Sequence, residues 1–112
     1  MPSCHLVIES LGPDTVRVQA EGDLSGPSAY TLDAELMRVE AMRPARLVLD
    51  LSRVTFIDSA GLARVLGAHR RAQREGRRFV VVEGTAAVRR LIALTALDQR
   101  LELARDTAAA LA

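Results

Sequence analysis

The chain has 112 residues, 49% hydrophobic and only 3% aromatic, which predicts one domain over residues 1–112 with an aliphatic core of Leu, Val, Ile and Ala. Fifteen basic and 14 acidic residues leave a net charge of +1, so there is no general pull towards nucleic acid or an anionic membrane. A lone cysteine, Cys4, excludes an internal disulfide and any CxxC metal or redox motif. No apolar run has the length of a signal peptide or a membrane span, and the expectation is a cytoplasmic protein.

Residues 5–9 (HLVIE) predict an edge strand, and Gly12-Pro13-Asp14 a turn after it. Residues 15–20 alternate Val16, Val18 and Ala20 against Arg17 and Gln19, the pattern of a half-buried strand that closes a hairpin with the first. The segment from Gly22 to Pro27 breaks the pattern, with Ser25 or Gly26 near a helix cap and Pro27 in the first turn. Ala29, Leu32, Leu36 and Val39 recur at helical spacing over residues 28–42, and Arg43-Pro44 ends that helix. Asp33 and Glu35 precede Arg38 and Arg43, the favourable sense for the helix dipole.

A buried strand follows at residues 46–51, then a turn, then a helix over 59–75 with Gly76 as its stop. Phe79-Val80-Val81-Val82 forms a second continuous apolar strand. Gly84-Thr85 introduces a helix over 86–94, residues 101–103 make a last short strand, and residues 106–111 a terminal helical turn or two. The order β-β-α-β-α-β-α-β-α predicts an α/β fold: a mixed sheet of about four or five strands covered by about four helices. No long exposed apolar helix face stands out, so a monomer is expected.

Several chemistries lack their parts. Every basic residue is Arg, so a phosphate-binding loop of the GxxxxGK[ST] kind has no lysine, and GTAAVR at 84–89 reads as a helix start. Asp50 at the end of an apolar strand suits a phosphorylated receiver, but neither an acidic pair after the first strand nor a later lysine is present. The plain reading of Asp50 is a turn residue bonding amides near Ser52 and Arg53. His5 and His69 have no carboxylate or thiol at metal-ligand spacing, and no GxSxG elbow supports a hydrolase. Tyr30 reads as packing, and the groups Arg70-Arg71-Arg74 and Arg77-Arg78 as solvated faces. Asp58-Ser59-Ala60-Gly61 remains. It is either a plain N-cap or a hydroxyl on a low, open surface where another protein's active site could reach it.

The run VLDLSRVTFIDSAGLARVL strongly resembles the signature of STAS domains, in particular bacterial anti-sigma-factor antagonists. GDLSGPSA at 22–29 and FVVVEGTAAVRRLIALTALDQRLEL extend the likeness over nearly the whole chain. The resemblance implies a non-enzymatic binding module without cofactor or metal. Its phosphorylated residue would be Ser59, modified by a partner that is both anti-sigma factor and serine kinase and reset by a phosphoserine phosphatase. Unphosphorylated, it would bind that partner and free a sigma factor through Asp23, Ser25, Asp58, Ser59, Ala60, Gly61 and Leu62. The same scaffold could instead serve a signalling or lipid-transport complex without a phosphate cycle. Two departures from the family pattern stand out. Ser25 replaces a usual Asp linked to the phosphorylation reaction, with Asp23 two residues before it. Ala60 replaces a frequent second Ser, leaving Ser59 as the single acceptor in the turn.

Overall fold

The computed structural model describes residues 4–112. Strands β1 (Cys4–Ser10) and β2 (Thr15–Leu24) lead to α1 (Pro27–Ala41), β3 (Arg46–Ile57) and α2 (Ser59–Glu75). Strand β4 (Arg78–Val82), α3 (Ala86–Leu94), a 3-10 turn (Leu97–Gln99), β5 (Glu102–Ala104) and α4 (Thr107–Ala110) follow. The five strands lie in sequence order in one sheet. The β1–β2 pair is antiparallel and every other pair is parallel, as a hairpin followed by β-α crossovers requires.

Alternation along β3 and β4 builds two cores. Leu47, Leu49, Leu51, Phe79 and Val81 join Leu32 and Leu36 of α1, Leu62, Val65 and Ala68 of α2, and Val88 and Ile92 of α3. Val48, Val80 and Val82 point to the opposite face and pack on Ala110 of α4. Phe79 is the only aromatic residue buried among those described, so the core is aliphatic as composition predicts.

Strands β2 and β3 run further than the sequence suggests, and Gly22 does not end β2. The reason is two register shifts. Gln19 pairs with Asp50 but Glu21 with Arg53, and Gly22 pairs with Val54 but Asp23 with Phe56. Each step gives β3 one extra residue, the count of a β-bulge, and pairing resumes beyond it. Asp50 therefore does not end a strand. It lies within β3, 3% exposed, and its Oδ1 accepts the Ser52 amide at the first bulge, 2.8 Å away. Gln19 Nε2 donates to its other oxygen at 3.1 Å, so this carboxylate serves the sheet.

Two arginines expected on solvated faces are structural. Arg71 Nε donates to Glu40 at 2.7 Å and Nη2 to Asp33 at 3.0 Å, clamping α2 to α1. Arg77 is buried and donates to the carbonyls of Pro44 and Glu40. Arg70 and Arg74 are exposed.

Candidate functional site

The carboxyl ends of parallel strands are where α/β sheets present their loops and helix N-termini. Here the ends of β2 and β3 meet the start of α2. Leu24 pairs with Ile57 as the last step of the ladder. The chain then turns, and Asp58, in extended conformation, caps α2 by accepting the Gly61 amide on Oδ1 at 2.9 Å. The plain N-cap reading of this turn is therefore met by Asp58. Ser59 becomes the first helical residue and is exposed.

Gly61 makes that geometry possible. A Cβ there would run into the carbonyl oxygen of Leu24 and stand 2.9 Å from Ile57 Cγ1. Only glycine lets the first turn of α2 press this closely on β2. Gly61 and Leu62, expected to touch a partner, are both buried, Leu62 at 4% exposure. They build the turn and offer a partner little surface. Ala60 is half-buried beside Ser59.

The β2–α1 loop forms the neighbouring lip. Asp23 accepts the Ser25 hydroxyl. Ser28 Oγ accepts the Ser25 amide at 2.9 Å and lies 2.7 Å from the Asp23 carbonyl, to which it can donate. Gly26, the residue before α1, has φ 52°, the left-handed region that glycine enters without strain. Asp23 and Ser25 thus belong to one half-buried hydrogen-bonded loop at the end of the strand beside Asp58.

Exposed groups flank this mouth, none of them expected as part of a site. Tyr30, expected as packing, is 62% exposed, with the Arg64 guanidinium 4.8 Å from its ring centroid. Phe56 is 51% and Leu94 77% exposed, and with Ala87, Arg90 and Leu91 they line an open groove of about 440 Å3. Alternation past residue 51 was the signal for Phe56, since a strand reaching Ile57 turns Phe56 away from the core. A larger hollow of about 820 Å3 opens among Met37, Glu40, Arg43, Arg71, Glu75 and Arg77. There Arg71 holds Glu40, and Arg77 holds Glu75 at 2.7 Å.

His69 is half-buried. Burial, then the charges of Arg100 and Arg70, pushes its imidazole below its ordinary pKa. Burial likewise pushes the Cys4 thiol up. Among the described residues no group of three His, Cys, Asp or Glu is placed to hold a metal ion, and no helix is long and apolar enough to cross a membrane.

Known proteins share this fold. A family model described as "Mlab, STAS domain" matches residues 8–105. An anti-sigma-factor antagonist from Mycobacterium paratuberculosis is 31% identical, with a TM-score of 0.89 over 97% of this chain and 92% of that one. The anti-sigma-factor antagonist SpoIIAA in its unphosphorylated form is 20% identical (TM-score 0.75, covering 89% of this chain and 88% of that one). The phosphorylated form of SpoIIAA, a Bacillus cell fate determinant, is 19% identical (TM-score 0.70, 89% and 91%). At those identities the SpoIIAA likeness is one of fold, and it holds for both of that protein's states. With a family model over most of its length and a relative matched nearly end to end, the chain belongs to the STAS-domain family of anti-sigma-factor antagonists.

Proposed function

We propose that this chain is a phosphorylation-switched anti-sigma-factor antagonist of the cytoplasm. With Ser59 unmodified it binds an anti-sigma factor that is also a serine kinase, and a sigma factor is released. Phosphate on Ser59 ends that binding until a phosphoserine phosphatase removes it. The chain acts by binding, without cofactor or metal and without direct contact with nucleic acid. The observation that carries this reading is the exposed Ser59 hydroxyl at the first position of α2, beside a half-buried lip of Asp23, Ser25, Asp58 and Ala60.

The physics of that position favours a switch of surface charge over a switch of fold. A phosphoserine adds about −1.5 to −2 charges near neutral pH. The helix mouth tolerates them, because amides and dipole there favour an anion. Asp58 is already committed to the Gly61 amide, so the cap survives. Ala60, Gly61, Leu62 and Ala63 carry no cation to neutralise the phosphate, and Asp58 adds to its field. An acidic partner surface docked there is repelled, and an apolar one would have to strip water from the phosphate.

The test is incubation with ATP and the cognate serine kinase, with the phosphate located by mass spectrometry. Modification is expected at Ser59 and lost in Ser59→Ala. Ser59→Asp is expected to weaken kinase binding about tenfold or more while its melting temperature stays within a few degrees. Equal affinity of the two forms refutes the switch. A second reading, a STAS subunit of a signalling or lipid-transport assembly without a phosphate cycle, draws on the family description Mlab and on Ser25 in place of the usual Asp. It predicts no phosphate on Ser59 with any partner kinase.

A further inference from the structure

The sheet ends at β1. The β1–β2 ladder is regular over seven pairs, Cys4 with Gly22 through Ser10 with Val16, with no bulge to turn the strand away. Beyond β1 lies no further strand among the described residues, so its outer row of N–H and C=O groups faces outwards. The strand holds neither Pro nor Lys, two common guards of an edge, and exposes apolar side chains on both faces, Val7 at 39% and Ile8 at 44%. The opposite edge, β5, is only three residues long.

We propose that β1 pairs with β1 of a second copy, antiparallel and centred on Val7, joining two sheets into one across a two-fold axis. The strand CHLVIES is complementary to itself in that register. His5 lies opposite Glu9 of the copy and Glu9 opposite its His5. Leu6 lies opposite Ile8, and Val7 meets Val7. Both kinds of pair stabilise antiparallel neighbours, and the same patch serves both copies, as a two-fold interface requires. Centring on Leu6 sets Val7 against His5, and centring on Ile8 sets it against Glu9. Arg17 engages Glu9 through Oε1 at 3.0 Å, and the Glu9 side chain is still 50% exposed, open to the histidine of the copy. Leu6 and Ile8 share the sheet face of Ala20 and Val18, so their pairing continues the apolar face of the sheet. Ser59 stands at the junction of β3 and α2, two strands inward, so the dimer leaves both hydroxyls open. The inference stands independently of the phosphate switch. The expectation of a monomer weighed helix faces; this surface is a strand edge.

The full chain is studied by sedimentation up to millimolar protein. A concentration-dependent monomer–dimer equilibrium is expected. Val7→Lys, which places two ammonium groups face to face, is expected to weaken it roughly tenfold. Register is read by oxidation in a Cys4→Ser background. Val7→Cys is expected to form a covalent dimer, because residues 7 of the two copies are direct neighbours about 5 Å apart. Ile8→Cys is expected not to, since residue 8 faces residue 6 and its own counterpart lies beyond about 7 Å. A monomer at every concentration, an equilibrium indifferent to Val7→Lys, or equal cross-linking of the two cysteine variants overturns the proposal.

Discussion

Helix α2 contains two glycines, and replacing each by alanine is expected to change stability with opposite sign. At Gly67 an added Cβ would find nothing nearer than Arg71 Nη1, 3.6 Å away, an ordinary van der Waals contact that asks nothing to move. Alanine there gains helix propensity and removes freedom from the unfolded chain, a stabilisation of about 0.5–1 kcal/mol. At Gly61 the same methyl would strike the Leu24 carbonyl and stand 2.9 Å from Ile57 Cγ1. The carbonyl cannot swing away, because Leu24 is the last rung of β2 paired with Ile57. Either the first turn of α2 lifts or the β2–β3 end opens. Overpacking of this kind costs about 1–3 kcal/mol, and the propensity gain at a helix end offsets little of it. Gly61→Ala is therefore expected about 2–3 kcal/mol below Gly67→Ala in urea unfolding, with a melting temperature about 10 °C lower. Because the turn carries Ser59, Gly61→Ala is also expected to weaken binding of the proposed kinase partner, and Gly67→Ala to leave it unchanged. Equal stability of the two variants would refute the claim that Gly61 is set by close approach.

Arg71→Met strands Glu40, which is 7% exposed, and is expected to lower stability by about 3 kcal/mol; adding Glu40→Met should recover most of the loss in a double-mutant cycle. His69 contributes a pH dependence. Its folded pKa lies below the ordinary 6.5, so the unfolded chain takes up the proton first. Stability is therefore full above that value, falls as the pH drops below it, and levels off beneath the folded pKa. His69→Gln is expected to flatten this slope in unfolding measured between about pH 5 and 7, and an unchanged slope would assign it to other groups.

What the sequence reveals of this chain is what short-range chemistry decides. Asp58 caps α2 three residues from the amide it binds, and Gly76 closes it in the left-handed conformation, φ 69°. Both are local, and both helix ends read correctly. The ends of β2 and β3 are set by partners on another strand. A bulge is a mismatch of two counts, so Gly22 reads as a break and Ser52 as a turn until the register is seen. Arg71 looks like one more surface arginine because its acceptor Glu40 lies 31 residues away. Leu62 shows the converse case. Its place in a recognisable motif suggests a contact residue, while its helical position turns the side chain into the core.

These long-range features share one consequence for Ser59. The second bulge lets β3 gain a residue on β2, so that Ile57 ends level with Leu24 and α2 begins directly over the end of β2. Gly61 then closes the contact, and the Asp58 amide lies 3.5 Å from the same Leu24 carbonyl that excludes a methyl group. The backbone beneath Ser59 is thus held by the sheet on one side and by the Asp58 cap on the other, while the hydroxyl is left to solvent. A group added to that oxygen has no packed neighbour to displace. Its influence must act outward, through charge and bulk presented to whatever docks on the surface. A serine placed one residue earlier would replace the cap, and one placed three residues later would sit at the buried position of Leu62. The first position of α2 is the place in this turn where a side chain is both anchored at its root and free at its tip.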